Sequence, residues 1–359
     1  MPRSKKDKST FITGRGAQIN TSNPFHTTQL DGEGHGWRHD DDVDLISKTK
    51  YIPTHPKSIL NKVKSPDLRF AYSINPYQGC EHGCVYCYAR NTHTFWGYSA
   101  GVDFEQKILI KQNVAPLLEQ KLKSKSWEPQ TIMVSGNTDC YQPAERKYRI
   151  TRSILEVLHK YKHPASIITK NALILRDLDL LTEMAKDNTV RVILSITSLN
   201  EELRSLLEPR TSSSHNRLKT VAKLSSAGIP VRVMIAPIIP SLTDHEISDI
   251  AKAAAEAGAQ DIGYTIVRLN GDVGPIFKDW LLRTYPDRYD RVIHQIEICH
   301  GGKVNDSRFG TRMRGEGQFA DIIKQQIQLA RSQYFKGPKP PPLSTEHFEK
   351  IKNPQLKLF

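Results

Sequence analysis

From about residue 70 onward, the chain alternates short apolar runs with longer segments whose apolar positions recur at helical spacing. Runs rich in Ile and Val that are flanked by Gly, Pro, Asn or Ser are typical of strands, and the longer segments are typical of helices. The predicted strands are 71–75, 131–135, 166–169, 191–196, 230–236 and 263–267. The predicted helices are 151–161, 178–186, 217–227, 243–257, 289–299 and 318–334.

The alternation of strands with helices indicates an α/β fold with parallel strands. Three helix boundaries have sequence signals: Thr243-Asp-His-Glu246 is a capping-box sequence, and Gly228 and Gly258 are typical helix stops. Six such units form either a doubly wound sheet or an incomplete barrel, and the periodicity does not separate the two.

The ends of the chain have a different composition. Residues 1–65 show little periodicity and are interpreted as a poorly regular N-terminal extension, followed by the α/β domain at 66–300. In the extension, the glycine run 32–37 does not match G-x-G-x-x-G, and the acidic run 40–44 lacks the spacing of a calcium loop. We expect a loop and helix packed on the domain at 301–335, and a tail rich in Pro and Lys at 336–359.

Composition narrows the class of protein. Of the 359 residues, 38% are hydrophobic and 25% are charged, which is ordinary for a soluble globular protein. No apolar run approaches the ~18 residues that span a bilayer, and no apolar segment follows the basic N-terminus, so we expect a cytoplasmic protein without a membrane partner. The net charge of +13 favours a polyanionic partner such as nucleic acid. Much of the excess lies in the termini and in 48–69, where a solvated surface is the alternative.

Three of the five cysteines stand close together as C-x3-C-x2-C, at Cys80, Cys84 and Cys87. Thiolates hold iron–sulfur clusters, and three thiolates on a four-iron cubane leave one iron open to another ligand. The competing interpretation is a structural zinc site completed by His82 or His93. Because zinc ligands usually form two separated pairs and these cysteines share one short loop, the pattern favours the cluster.

The cysteine loop resembles the signature of a known superfamily. C-x3-C-x-aromatic-C, with Tyr86 as the aromatic residue, is similar to the signature of the radical S-adenosylmethionine (SAM) superfamily. The flanking Asn75-Pro-Tyr-Gln-Gly-Cys and Cys87-Tyr-Ala-Arg90 resemble the branch related to spore photoproduct lyase, the DNA repair photolyase-like proteins of unassigned substrate.

The resemblance implies a partial (β/α)6 TIM-like barrel. It also implies that Cys80, Cys84 and Cys87 bind a [4Fe-4S] cluster whose fourth iron is chelated by SAM. Reduction by a partner such as flavodoxin or ferredoxin would then cleave SAM to a 5′-deoxyadenosyl radical, which takes hydrogen from a substrate.

Residues that follow the predicted strands are the candidates for binding SAM, because active sites of parallel barrels lie at the C-terminal strand ends. Tyr86 and Tyr88 could pack beside adenine, although aromatic residues next to cysteines are also ordinary packing residues. Thr138 and Asp139 could accept hydrogen bonds from the SAM ammonium, with a helix cap as the alternative. By resemblance, Lys170 would neutralise the methionine carboxylate.

Two further strand ends offer candidates. Ser195 and Thr197 would bond the ribose, as the resemblance implies. Arg210 could lie near a carboxylate or phosphate, and Arg268 ends the sixth predicted strand; for both, a surface or interdomain salt bridge is the alternative.

Two features of the sequence each have two interpretations. Spore photoproduct lyase returns a hydrogen atom from a cysteine near the second strand, and Cys140 lies in that neighbourhood, but Gly136 occupies the matching position. Cys140 is therefore either a hydrogen donor or a small buried thiol. The loop with Arg308, Arg312 and Arg314 is either a phosphate-binding loop or a charged turn.

Three functions follow from these observations. The first is a radical SAM enzyme that acts on nucleic acid in a photoproduct-lyase-like reaction. The second is a non-catalytic nucleic-acid-binding protein stabilised by zinc or a cluster. The third is a radical SAM enzyme acting on a peptide or small molecule.

Overall fold

The structure is a computed structural model that describes residues 12–23, 25, 48–68 and 70–348. The basic N-terminus, the glycine run 32–37, the acidic run 40–44 and the end of the predicted tail lie outside the described residues.

The described residues form strands and helices in alternation. The strands are β1 (Lys50–Thr54), β2 (Leu60–Lys62), β3 (Tyr72–Ile74), β4 (Tyr77–Gln78), β5 (Lys107–Lys111), β6 (Ile132–Val134), β7 (Ala165–Thr169), β8 (Val190–Ser195), β9 (Val231–Ile238) and β10 (Asp261–Ile266). The helices are α1 (Asp103–Gln106), α2 (Val114–Lys123), α3 (Glu145–Tyr148), α4 (Ile150–Lys160), α5 (Leu178–Lys186), α6 (Glu201–Leu207), α7 (Ser214–Ser226), α8 (Ile247–Glu256), α9 (Val273–Thr284), α10 (Tyr289–Cys299) and α11 (Gln318–Tyr334). Short 3₁₀ helices lie at Tyr88–Trp96, Ala172–Asp177, Asp244–Glu246 and Pro286–Arg288.

The main sheet has the order β2-β3-β6-β7-β8-β9-β10. From β3 to β10 every neighbouring pair is parallel, and β2 joins β3 antiparallel. The parallel strands follow one another in chain order, whereas a doubly wound sheet would reverse its direction at a central switch point. The described sheet does not close on itself, so the predicted partial (β/α)6 barrel is confirmed as an open α/β sheet of six parallel strands.

The hydrophobic core is formed by side chains of the main sheet and of the helices that pack on it. Ile167, Val192 and Val233 of the strands are fully buried, as are Leu155 and Leu181 of the helices. These residues belong to one apolar cluster, and burial of this kind stabilises by roughly 1.5–3 kcal/mol per large aliphatic side chain.

A second, smaller sheet supports the cysteine loop. Its order is β1-β5-β4, with β1 parallel and β4 antiparallel to β5. Because β4 ends at Gln78, two residues before Cys80, its pairing with β5 fixes where the loop begins. β1 and β2 lie inside the segment predicted as a poorly regular extension, so that segment contributes strands to both sheets; the domain boundaries stay predictions.

The six predicted strands coincide with β3 and β6 to β10, within a few residues at each end, and the predicted helices 178–186, 289–299 and 318–334 coincide with α5, α10 and α11. Gly228 and Gly258 have φ of 77° and 91°, which confirms the two helix stops.

The prediction of a capping box at Thr243 is wrong. The Glu246 carboxylate accepts hydrogen bonds from Ser198 Oγ (2.6 Å) and the Leu199 amide (2.5 Å), while Thr243 Oγ1 accepts from the Ile239 amide at 2.9 Å. The Glu246 carboxylate therefore binds donors of a distant loop instead of the helix N-terminus that the capping box would satisfy.

None of the helices in the described part of the chain combines the length and apolar composition that crossing a bilayer requires.

Candidate active site at the cysteine loop

The cysteine loop connects β4 to the 3₁₀ helix Tyr88–Trp96. Cys80 and Cys84 are buried, with 6% and 7% exposure, and Cys87 is partly exposed; all three are free thiols. The Cys80 amide donates to the Phe104 carbonyl at 2.8 Å, and the Val85 amide donates to the Leu207 carbonyl at 3.1 Å. Backbone contacts with α1 and with the end of α6 therefore fix the loop.

Two glycines allow the loop to approach its neighbours closely. Gly79 has φ of +79°, and a Cβ there would lie 2.8 Å from the Lys107 carbonyl oxygen. Gly83 has φ of +69°, and a Cβ would lie 2.7 Å from Glu105 Oε2. Both positions combine a left-handed backbone with no room for a side chain, so glycine is required.

A buried ion pair stabilises the cysteine loop. Arg90 and Glu105 are both fully buried with Nη2 and Oε1 2.5 Å apart, and Arg90 Nε donates to the Cys84 carbonyl at 3.0 Å. The Glu105 carboxylate also accepts from the amides of Gly16 (3.0 Å) and Ala17 (2.8 Å). Residues 12–20, here called the N-terminal strap, are thereby tied to the cysteine loop.

The three thiols fit a metal cluster. Burial raises the pKa of Cys80, Cys84 and Cys87, and they influence one another electrostatically, so they lie near each other in a low-dielectric setting. Coordination to a metal deprotonates a thiol and supplies the charge that burial otherwise opposes. No three His, Cys, Asp or Glu side chains among the described residues are placed to share a single metal ion, whereas a cubane binds each thiolate at a different iron.

The two histidines considered as zinc ligands differ in their surroundings. His82 Nδ1 lies 3.3 Å from Asp139 Oδ2, and its Nε2 lies 3.1 Å from Asn171 Nδ2. His93 packs against the rings of Tyr98 and Phe104, and burial lowers its pKa to about 4. His82 is therefore held by Asp139 and Asn171, whereas the two ring nitrogens of His93 are buried without a hydrogen-bond partner in the described part of the chain.

Asp139 connects the loop after β6 to the end of β7. Its Oδ1 accepts from Thr169 Oγ1 and the Tyr141 amide, and its Oδ2 accepts from the Lys170 amide, each at 2.8 Å. Burial alone would raise its pKa, but the charge and hydrogen bond of His82, together with the backbone amides, bring the pKa below the usual range. Asp139 is thus an ionised brace whose oxygens already have protein donors.

A buried network under the loop centres on Glu208, which sequence reasoning missed. Glu208 is fully buried; its carboxylate accepts from the Tyr86 hydroxyl, from Thr197 Oγ1 at 2.7 Å, and from Arg217. Lys170 Nζ lies 3.6 Å from the same carboxylate. Burial would raise the Glu208 pKa, but the charges of Arg217 and Lys170 outweigh it and hold the pKa well below its ordinary value.

The sequence signal for this network is the Glu208-Pro-Arg210 turn, in which the sequence predicts a ligand contact only for the arginine. Arg210 instead points at the surface side, with Nη1 3.4 Å from Glu81 Oε1 and 36% of its side chain exposed.

Lys170 is held close to the cysteines. Its Nζ donates to the Ala236 carbonyl at 3.2 Å and lies 5.9 Å from the centroid of the Tyr86 ring. Its positive charge lowers the pKa of Cys84 and Cys87 against the larger effect of burial. The structure thus brings together predicted residues from the cysteine loop and from the ends of β7 and β8.

An exposed aromatic surface borders the loop. Tyr88, Phe95 and Trp96, on one 3₁₀ helix, are 49%, 73% and 45% exposed, and we call them the aromatic shelf. The Phe95 ring also packs against Phe25, with ring centroids 5.1 Å apart. The Tyr88 hydroxyl donates to the Gly136 carbonyl at 2.7 Å. Arg268 is an electrostatic neighbour of Tyr88, so a positive charge lies beside the shelf.

The remaining predicted site residues are buried. Thr138 is buried and its hydroxyl donates to the Tyr77 carbonyl at 2.7 Å, while Ser195 is 4% exposed at the end of β8. Cys140 is fully buried in the same apolar cluster as Tyr77 and Tyr141. This placement matches the small buried thiol that was weighed against the hydrogen donor.

A sequence model of the radical SAM superfamily matches residues 74–254, which include the cysteine loop, Lys170 and Glu208. The chain belongs to the radical SAM superfamily. An uncharacterised protein of Mycobacterium tuberculosis is 36% identical over 238 residues, covering 66% of this chain and 70% of that protein. An uncharacterised protein of Methanocaldococcus jannaschii is 31% identical over 249 residues, covering 69% and 88% respectively.

Solved structures of spore photoproduct lyase share the fold. The enzyme complexed with dinucleoside spore photoproduct superposes with a TM-score of 0.58 at 17% identity, covering 80% of both chains. A variant with the same ligand gives 0.60 at 16% identity, covering 86% of this chain and 87% of that one. At these identities the similarity concerns the fold. Membership of the radical SAM superfamily implies an enzyme that uses a [4Fe-4S] cluster and SAM.

Proposed function

We propose that Cys80, Cys84 and Cys87 bind a [4Fe-4S] cluster and that this radical SAM enzyme binds SAM at the open iron. The observation that carries the proposal is three free, largely buried thiols in one loop at the C-terminal edge of the parallel sheet. When bound and reduced, the cluster supplies a 5′-deoxyadenosyl radical from SAM. A cytoplasmic electron donor such as flavodoxin or ferredoxin is the partner that this chemistry requires.

The chain's own residues would orient SAM. Lys170 has a fixed position near Cys84, and its ammonium suits the methionine carboxylate. Thr138 donates its hydroxyl hydrogen to Tyr77, which leaves the oxygen lone pairs available to an ammonium. Tyr86, held by Glu208, would pack beside adenine. Asp139 would act in this proposal mainly by holding the Lys170 backbone.

Ser195 and Thr197 would lie on the ribose side. Thr197 already shares its hydroxyl with Glu208 and the Ala236 carbonyl, at 2.7 and 3.0 Å, so it would contribute chiefly through position. Arg210, paired with Glu81 at the loop surface, would influence the cofactor through Glu81.

The proposed substrate is a nucleic acid, in a photoproduct-lyase-like reaction. The aromatic shelf beside the cysteine loop offers exposed rings on which bases can stack, and Arg268 adds a positive charge there. The net charge of +13 favours a polyanion. These features favour nucleic acid over a peptide or small uncharged substrate.

The cluster is tested by anaerobic reconstitution of the wild type and two variants. Wild type should contain about four irons with inorganic sulfide, and with reductant and SAM it should form 5′-deoxyadenosine. Cys84→Ser should lose most iron and all 5′-deoxyadenosine formation. Cys299→Ser, which changes a buried cysteine outside the loop, is the matched control and should retain both. Bound zinc without sulfide in the wild type would contradict the proposal in favour of the zinc-stabilised protein.

The substrate is tested separately with the reconstituted wild type. UV-irradiated DNA or RNA should raise the rate of 5′-deoxyadenosine formation above that seen with the same unirradiated polymer. Equal rates with both would reject a photoproduct substrate while leaving the cluster assignment intact.

A further inference from the structure

Three arginines converge at the free edge of β10, away from the cysteine loop. Arg232 comes from β9, Arg314 from the loop before α11, and Arg331 from α11 itself. We call them the β10-edge arginines. Their charges act on one another, since both Arg331 and Arg314 lower the pKa of Arg232, after burial as the larger cause.

The position of Arg232 depends on a missing side chain. A Cβ on Gly263 would lie 3.0 Å from Arg232 Nη2 and 2.4 Å from Met234 Sδ. Without it, Arg232 crosses β10 and its Nη2 donates to the Ile262 carbonyl at 3.0 Å. Arg331 Nη2 donates to the same carbonyl at 2.5 Å, so the two guanidinium groups meet at one point on the strand edge.

The group carries more positive than negative charge. Asp261 lies 3.2 Å from Arg232 and 3.3 Å from Arg331, and thus shares one carboxylate between two guanidinium groups. Arg314 stacks over the Tyr264 ring at 4.2 Å and has no ion pair within the described residues. The buried Arg232 Nε has no hydrogen-bond partner in the described part of the chain. The exposed Arg314 guanidinium, which has no ion pair among the described residues, suits an oxyanion.

The β10-edge arginines remain open to solvent. About a third of the side chain is exposed at Arg232 (35%) and Arg331 (33%). The Ile266 amide donates to the Met313 carbonyl at 3.1 Å, which fixes the loop that carries Arg314 along β10.

We infer that Arg232, Arg314 and Arg331 form a binding site for a phosphate group, of the kind carried by the backbone of a single-stranded nucleic acid. A planar guanidinium matches the oxygens of phosphate in a bidentate manner, and the excess positive charge supplies affinity that falls with salt. The inference rests on the proposed nucleic-acid substrate for its source of phosphate, and it adds where that backbone is held.

The test compares four reconstituted proteins: wild type, Arg232→Gln, Arg314→Gln and Lys324→Gln. Lys324 is an exposed lysine on α11, so its variant removes one positive charge outside the site. Binding of a fluorescent single-stranded oligothymidylate is measured by anisotropy over a series of salt concentrations, and binding of inorganic phosphate by calorimetry. Thermal unfolding shows whether each variant is folded. Arg314→Gln breaks no ion pair among the described residues, so it keeps the test valid if Arg232→Gln is unstable.

Each arginine variant should weaken oligothymidylate binding about fivefold and lower the slope of log affinity against log salt by ~0.7, while Lys324→Gln changes both less. If the arginine variants lose binding of inorganic phosphate alone, the phosphate site is supported with free phosphate as its ligand. Behaviour equal to Lys324→Gln in both assays, or no binding of either ligand by the wild type, would overturn the inference. SAM cleavage by wild type without substrate is measured in parallel, because its absence contradicts the proposed function and says nothing against the phosphate site.

Discussion

At the scale of residues, Glu208 connects the cysteine loop to the ends of β7 and β8. Its buried carboxylate lies between the cations Arg217 and Lys170 and accepts a hydrogen bond from the Tyr86 hydroxyl. Removing one partner from a buried ion pair leaves the other charges uncompensated, which costs more than the pair contributes. Glu208 is therefore a positioning residue for Tyr86 and Lys170.

Glu208→Gln should lower the free energy of unfolding by roughly 3 kcal/mol, because the buried Arg217 and the partly buried Lys170 lose their counter-charge. It should also raise the KM for SAM more than it lowers kcat, since Lys170 and Tyr86 lose their fixed positions. Urea unfolding and SAM-dependent 5′-deoxyadenosine formation measure the two effects. Glu183→Gln, at an exposed pair with Lys186, should change the unfolding free energy by less than about 1 kcal/mol. An unchanged KM for Glu208→Gln would reject the positioning role.

The Cys140→Ala variant tests whether Cys140 is a hydrogen-atom donor or a small buried thiol. Because the thiol is fully buried in the apolar cluster, we expect product formation per SAM cleaved to stay at the wild-type value, with a modest loss of stability of about 1 kcal/mol. Product analysis with UV-irradiated DNA, the proposed substrate, measures this. A large drop in product at unchanged SAM cleavage would restore the hydrogen-donor hypothesis.

At the scale of elements, the N-terminal strap covers the cysteine loop through close backbone contact. A Cβ on Gly16 would lie 1.8 Å from the Gly83 carbonyl, and Gly101 is similarly limited by the Ile19 carbonyl at 2.0 Å. Arg15 donates to the Glu105 carbonyl at 2.7 Å and so anchors the same segment. The strap thereby shields one side of the loop from solvent.

Gly16→Ala should displace the strap, because no small shift removes so close an approach to backbone. We expect a loss of about 1–3 kcal/mol in stability and faster bleaching of the cluster's visible absorbance in air. Gly337→Ala is the matched control, since a Cβ there meets no atom within 4 Å. Equal bleaching rates for the two variants would show that the strap does not protect the cluster.

At the scale of the whole molecule, the two ends of the parallel sheet have different tasks. The cysteine loop, Lys170 and Thr197 lie at the C-terminal ends, as in parallel barrels generally. At the opposite end the tail packs across the start of β8: Arg191 donates to the Pro341 carbonyl at 2.5 Å, and Asn188 to the Pro342 carbonyl at 2.8 Å. Phe348 contacts His163 there, with ring centroids 5.3 Å apart.

Deletion of residues 336–359 should therefore reduce stability while leaving the cofactor site in place. We expect a loss of roughly 1–3 kcal/mol from the removed hydrogen bonds and aromatic contact, seen as a lower melting temperature. The rate of 5′-deoxyadenosine formation without substrate should match the full chain below that temperature. Loss of iron from the folded, truncated protein would contradict this separation.

The sequence by itself determined the six parallel strands of the main sheet and the cysteine loop, because both depend on residues near one another along the chain. Apolar periodicity located the six parallel strands, and C-x3-C-x2-C spacing located the thiols. Only the tertiary structure decided the strand order, the strap on the loop, the Glu208 network and the β10-edge arginines. Tyr86 and Glu208 are 122 residues apart, and Gly16 meets Gly83 only when the chain is folded. Such contacts leave no local period or spacing in the sequence, since they arise when distant segments compete for the same buried donors and space.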